Sequence, residues 1–167
     1  MKDKIEYEII DNFLPLNEFK IIKENIESPY FPWFYNENVV HETVNDNKTF
    51  YFTHQIFKAF ANPSPYFDMI MNQFWPKLNG ECLIRVKANL YTNLGSCIQD
   101  PPHVDYNFKH KGAIFYINTN NAPTILKNGI KIDAIANRLL KFDPSILHSS
   151  SHPTDMKKRI TINFNYM

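Results

Sequence analysis

The chain has 167 residues, 44% of them hydrophobic, with a formal charge of +1 and a sequence pI near 7.8. That length accommodates one sizeable core and is too short for two ordinary domains, so a single domain over residues 1–167 is expected. The balanced charge disfavours a nucleic-acid-binding surface, a charged start (Met1 to Glu6) and the lack of any apolar run near ~18 residues argue against export or a membrane span, and Cys82 and Cys97 suit packed thiols in a reducing compartment.

After Pro15, the residues Leu16, Phe19, Ile22 and Ile26 recur at helical spacing and predict a first helix. The stretch Tyr30-Phe31-Pro32-Trp33-Phe34-Tyr35 is too dense in aromatics for a routine loop; it suits either a packing segment between helix and sheet or a wall facing a substrate. Ser64-Pro65 supplies a cap residue and a first-turn proline, Phe67, Ile70, Met71, Phe74 and Leu78 repeat the helical period, and Asn79-Gly80 ends it. Residues 1–80 therefore read as helical support and 81–167 as a strand-rich core. From Leu83 to Tyr91 the pattern alternates, with Ile84, Val86, Ala88 and Leu90 on one face and Arg85, Lys87, Asn89 and Tyr91 on the other; Arg85 and Lys87 are expected on a solvated surface. Further strands are expected at Ala113 to Asn118, Thr124 to Leu126, Ile130 to Ile132, Leu139 to Phe142 and Ile160 to Phe164, divided by turn signals such as Asn128-Gly129 and Asp143-Pro144. Short strands with close-set turns argue for a mostly β fold, a barrel or jelly roll with flanking helices.

Chemistry concentrates in a few residues. His103 and Asp105 sit two apart, so on extended chain they project from one face, and His148, just after the strand-then-turn signature Lys141 to Pro144, could complete a three-point metal clamp. Two imidazoles and one carboxylate leave the far side of a metal open, which suits iron better than zinc, although such a set does not identify its metal uniquely. With six His and nine Asp in the chain, about 0.3 chance His-x-Asp matches are expected, so the triplet draws its weight from context. Arg159, one of three arginines, opens the last apolar strand and shares a face with Thr161, offering an organic dianion a guanidinium fork beside a hydroxyl. His41, His54, His110 and His152 lack comparable spacing and read as surface or packed imidazoles.

From about Leu83 to Tyr166 the chain resembles the iron(II)- and 2-oxoglutarate-dependent oxygenases, specifically small prolyl-4-hydroxylase-like members of bacteria and marine phages. The resemblance rests on an ordered series: Asn89-Leu90-Tyr91, His103-Val104-Asp105, Tyr116 to Asn121, Ala136 to Asp143, His148-Ser149-Ser150 and Arg159 to Tyr166, with Ile10 to Pro15 also looking like the usual opening. It implies a double-stranded β-helix, the cupin-like jelly roll, with N-terminal helices packed on the sheet. It implies that His103, Asp105 and His148 bind Fe(II), and that Arg159 and Thr161 hold the distant carboxylate of 2-oxoglutarate with help from Asn89 and Tyr91. With O2, such an enzyme hydroxylates a peptide, amino acid or other small substrate and releases succinate and CO2. Related halogenases lack the carboxylate that Asp105 supplies, so halogenation is not expected. The implied setting is the cytoplasm of a bacterial or phage-infected cell. One departure is Ala122-Pro123 before Thr124, where relatives tend to carry glycine.

Two other readings share parts of the pattern. The AlkB nucleic-acid demethylases also carry Asn-x-Tyr and His-x-Asp, but their terminal arginine is followed six residues on by a second one, where this chain has Asn165, and the near-neutral charge offers little phosphate attraction. In a non-catalytic jelly roll that binds metal or sugar, His103, Asp105 and His148 would be structural. Oligomeric state is not legible.

Overall fold

The computed structural model describes residues 6–38 and 49–167; His41 and residues 1–5 lie outside them. In chain order the described residues form β1 (Tyr7–Ile10), α1 (Leu16–Glu27), β2 (Phe34–Asn36), β3 (Tyr51–Lys58), α2 (Phe67–Leu78), β4 (Leu83–Thr92), β5 (Lys111–Tyr116), β6 (Asn120–Leu126), β7 (Ile130–Ala134), β8 (Leu139–Phe142), β9 (His148–Ser149) and β10 (Lys158–Tyr166). No helix among them is long and apolar enough to cross a membrane. Both expected helices form. Asn79 ends α2 in the left-handed conformation (φ 54°, ψ 47°). Ser64 acts one step earlier than a cap residue: its carbonyl accepts from Phe67 N–H at 3.0 Å and its hydroxyl from Tyr66 N–H at 3.2 Å. Pro76 is tolerated near the end of α2, where the carbonyl it leaves without a donor belongs to exposed Asn72.

Seven strands form one antiparallel sheet in the order β1-β8-β5-β10-β4-β3-β2, and three form a second, β7-β6-β9. The first 80 residues, expected as helical support, also supply three edge-region strands to the larger sheet. The helices cover one face of that sheet. There Val86 and Ala88 of β4, Ala113 and Phe115 of β5, Leu139 of β8 and Ile160, Ile162 and Phe164 of β10 pack with Phe19, Ile22 and Ile26 of α1 and Ile70 and Phe74 of α2. Phe115 is in edge contact with Phe19 and Phe74, ring centroids 6.0 and 4.8 Å apart. The opposite face turns toward the small sheet. At the β5-β8 end a second apolar cluster fills the gap, with Ile114, Tyr116 and Leu140 against Leu126 and Ile132. At the β4-β10 end the gap is polar.

Two segments position that polar end. Asn137, at φ 63°, accepts from Leu14 N–H (3.0 Å) and donates to Leu14 O (2.8 Å), while Arg138 forks onto Asp11 at 2.6 and 3.0 Å, tying the N-terminal segment to the start of β8. Asn118 likewise donates to Lys158 O and accepts from Ile160 N–H, fixing the start of β10. Several asparagines of the ordered series thus serve the backbone. The stretch Ala122-Pro123 falls in a register shift of β6 between Asn120 and Thr124, where a proline without a donor is acceptable, and Pro123 O accepts from Ser151 Oγ at 2.7 Å.

The aromatic stretch divides. Phe31 is buried, 4.8 Å from Trp33 and 4.7 Å from both His54 and Tyr66, whereas Tyr30, Phe34 and Tyr35 are exposed. Cys82 and Cys97, expected as packed thiols, are exposed, because both lie just outside the ends of β4 rather than within it.

Candidate metal and cosubstrate site

His103, Asp105 and His148 converge, each offering one ligand atom within 4.8 Å of the others. The segment carrying the first two is not a continuous strand. It is pinned at two points instead: His103 exchanges backbone hydrogen bonds with His148, both 2.9 Å, and Asp105 N–H donates to Pro144 O at 2.9 Å. The ring centroids of His103 and His148 lie 4.6 Å apart. In both rings Nδ1 faces a carbonyl, Pro101 O at 3.4 Å and Ile146 O at 3.0 Å, so Nδ1 carries a proton and Nε2 is the nitrogen left to face a metal. Burial, reinforced by His148, lowers the His103 pKa to about 4, which keeps the ring neutral near neutral pH.

Asp105 is held on both oxygens. Arg85 Nη2 donates to Oδ1 at 2.6 Å and Asn165 Nδ2 to Oδ2 at 2.8 Å, while Arg85 Nε donates to Asn165 Oδ1 at 3.1 Å, closing a three-membered clamp. Burial alone would raise the Asp105 pKa, but the Arg85 guanidinium, His148, the Asn165 amide and His103 together hold it well below the carboxylate range. Arg85 is therefore not the solvated residue its strand position suggested. The polar face of β4 is interior because the small sheet closes over it: Arg85 pairs with Asp105, Lys87 is largely buried, Asn89 is 1% exposed and Tyr91 5% exposed.

The registers explain the order of groups. Opposite β4, strand β10 places Arg159 beside Tyr91, Thr161 beside Asn89, Asn163 beside Lys87 and Asn165 beside Arg85. Successive rungs are about 6.6 Å apart, so Arg159 and the Asp105 clamp sit at opposite ends of a polar ladder. Arg159 is 1% exposed; its Nη2 donates to Thr124 Oγ1 at 2.8 Å, its guanidinium lies 5.0 Å from the Tyr91 ring and 5.8 Å from the Tyr116 ring, and its Nε has no hydrogen-bond partner among the described residues. Tyr116 Oη also donates to Thr124 Oγ1, at 2.7 Å. Both polar atoms of the Asn89 amide are likewise buried and unpaired. Thr161 lines the same cavity but spends its hydroxyl proton on Asn163 Oδ1 at 3.1 Å.

Thr124, Tyr116, Arg85 and Asn165 were not predicted as site residues. The available signals are the polar face of the strand that carries Arg85 and the ordered series that contains Tyr116 and Asn165, neither of which assigns these residues a role. The other described histidines lie outside the ligand set. His54 packs on the helix side between Pro32 O (2.8 Å) and Ser64 Oγ (2.7 Å), His110 contacts the Asn165 amide, and His152 bridges Thr92 O and Asp100 Oδ1. Asp100 also accepts from Ser150 Oγ at 2.6 Å, which fastens the segment after His148 to the loop before His103.

A cavity lined by two imidazoles, a held carboxylate, an arginine with an unpaired Nε and an orphaned amide suits a metal with an anionic chelator. No family model and no curated protein sequence matches the chain. Among solved structures the fold is that of the 2-oxoglutarate- and Fe(II)-dependent oxygenases, a double-stranded β-helix. The chain is similar to a Pseudomonas putida prolyl-4-hydroxylase (TM-score 0.61, 14% identity, 98% of this chain and 93% of that one). It is similar to the viral collagen prolyl hydroxylase of Paramecium Bursaria Chlorella virus-1 in complex with 2-oxoglutarate (TM-score 0.60, 15% identity, 98% and 96%). A third likeness is to a Trichoplax adhaerens prolyl hydroxylase bound to a peptide fragment of hypoxia inducible factor (TM-score 0.68, 14% identity, 96% and 83%).

Proposed function

We propose that the chain is an Fe(II)- and 2-oxoglutarate-dependent dioxygenase that hydroxylates a peptide, amino acid or other small substrate and releases succinate and CO2. The observation that carries this reading is the polar ladder with a metal-ligand set at one end and a buried, incompletely paired Arg159 at the other. His103 Nε2, His148 Nε2 and an Asp105 oxygen would hold the iron. Iron bound with 2-oxoglutarate and O2 supplies the oxidising chemistry, coupling decarboxylation of the keto acid to oxygen insertion into a C–H bond.

The protein's own residues hold and orient. The backbone carbonyls of Pro101 and Ile146 fix the tautomers, and Arg85 and Asn165 keep Asp105 ionised and aimed. Arg159, with Tyr91 and Tyr116 stacked around it, would receive the remote carboxylate of the cosubstrate, and Asn89 would satisfy its amide on the same molecule. Thr161 would contribute as an acceptor or after its hydroxyl turns from Asn163.

The test is anaerobic titration with Fe(II) and then 2-oxoglutarate, watching for the weak visible charge-transfer band of the chelate. Its appearance, followed by succinate formation in air, supports the assignment. No band at millimolar cosubstrate removes it. Parallel assays with peptides, free amino acids and methylated oligonucleotides distinguish a hydroxylase from a demethylase, and metal binding with no succinate from any of them would favour a non-catalytic jelly roll.

A further inference from the structure

One cation in the cavity forms no ion pair among the described residues. Lys87 lines it beside Asn89, Asp105 and Asn163; its ammonium lies 5.6 Å from the Tyr51 ring and is attracted by Asp105 without pairing with it. The neighbouring cation cannot share a carboxylate with it, since Arg85 is committed to Asp105, Asn165 and the Tyr106 ring at 5.2 Å. Burial next to Arg85 is costly for an ammonium, and it lowers the Lys87 pKa to about 8, so the group is still mainly charged at neutral pH. A largely buried charge whose burial cost the attraction of Asp105 offsets only in part, and which forms no ion pair of its own among the described residues, is a candidate for ligand contact.

We propose that Lys87 is a specificity-determining residue that receives an oxyanion, a carboxylate or phosphate ester, carried by the primary substrate. This deepens the oxygenase reading and rests on it for where the cosubstrate lies. The dianionic cosubstrate already has a place for each carboxylate, one at Arg159 and one on the metal, so Lys87 is a third cation with neither end left to bind. A divalent metal and a dianion cancel, as do Arg85 and Asp105, and Asp100 is engaged by His152 and Ser150. Arg159 and Lys87 then leave the loaded cavity with excess positive charge, which favours an anionic substrate over a neutral or cationic one. Lys87 is itself partly exposed, and on its other flank β3 pairs it with exposed Gln55.

The test uses the full chain, loaded anaerobically with Mn(II) and 2-oxoglutarate, as wild type, Lys87→Met and Lys87→Arg. Calorimetric titrations with N-acetyl-aspartate, N-acetyl-glutamate and N-acetyl-phosphoserine are compared with N-acetyl-asparagine and N-acetyl-glutamine. At least one acid is expected to bind wild type tenfold or more tighter than its amide. That preference should fall to within twofold in Lys87→Met and persist in Lys87→Arg, while 2-oxoglutarate affinity changes less than twofold; the phosphate and carboxylate arms tell which oxyanion is preferred. An acid-over-amide preference absent from wild type, or retained in Lys87→Met, overturns the proposal. So does a Lys87→Met variant whose main loss is 2-oxoglutarate affinity. Failure of Mn(II) and 2-oxoglutarate to bind wild type sinks the oxygenase reading instead, and the same acids titrated onto the metal-free chain then decide the role of Lys87.

Discussion

The two faces of the large sheet are built from the same strands and solve opposite problems. On β4 and β10, Val86, Ala88, Ile160, Ile162 and Phe164 point at the helices and exclude water. Their neighbours Arg85, Lys87, Asn89, Arg159, Thr161 and Asn165 point at the small sheet, buried or partly so, and are held by polar partners or left unpaired. One face supplies stability without chemistry; the other holds chemistry that the first must stabilise. Substitutions on the two faces should therefore move different observables.

The largest effect is expected at the ligand end. His148→Ala should take succinate formation below detection while costing only about 1–2 kcal/mol of stability, since one polar contact and two ring contacts are lost. Turnover at a tenth of wild type would detach His148 from the metal. Phe115→Ala on the opposite face is the converse case. It removes a fully buried ring that touches Phe13, Phe19 and Phe74, and urea denaturation should register a loss of about 3–5 kcal/mol. A loss under 1 kcal/mol would mean that the helices contribute little to the sheet.

Arg159→Ala comes next. Losing a charge-assisted contact worth on the order of 1.5–3 kcal/mol should raise the KM for 2-oxoglutarate about 10- to 100-fold, and an unchanged KM would send the remote carboxylate elsewhere. Arg85→Met tests the clamp. It leaves Asp105 buried without its cation, so the metal-free protein should lose about 1–3 kcal/mol, and Mn(II) should raise Tm by more than in wild type because the dication replaces the missing guanidinium. An equal Mn(II) shift in both proteins would show that Arg85 does not compensate Asp105.

What could be read from the sequence tracks local pattern. Both helices and most central strands announce themselves by period, because one face of each is apolar and meets the core. Strand β3 escaped because His54 and Gln55 interrupt its apolar residues, and β9 because two residues carry no period. Spacing and resemblance marked His103, Asp105 and His148 as the candidate ligand set, whose side chains converge. The groups that orient it did not show, since Arg85 reaches Asp105 across 20 positions, Arg159 reaches Thr124 across 35 and Asn165 reaches Asp105 across 60, distances only the sheet registers close. The polar face of β4 misled for a related reason. Alternation tells which residues share a face but not whether a second sheet covers it.

Lys87 gives the smallest expected effect and the most direct comparison of the two faces. Its pKa is depressed from 10.5 to about 8, chiefly by burial and then by Arg85, so the charged form is less stable folded than unfolded. Below pH 8 both states are protonated and the folded state bears the whole penalty; between pH 8 and 10.5 the unfolded chain binds more protons, so stability from this group rises with pH. Lys87→Met should then be more stable than wild type by about 1–2 kcal/mol near pH 7, a figure reduced from the full shift because the side chain keeps some contact with water. The advantage should shrink steadily from pH 8 to 10.5. Comparing the two proteins cancels the tyrosines that titrate in the same range. An advantage that is absent at pH 7 or constant up to pH 10 would mean that the ammonium is compensated in the folded chain, and the inner face would then hold no uncommitted charge.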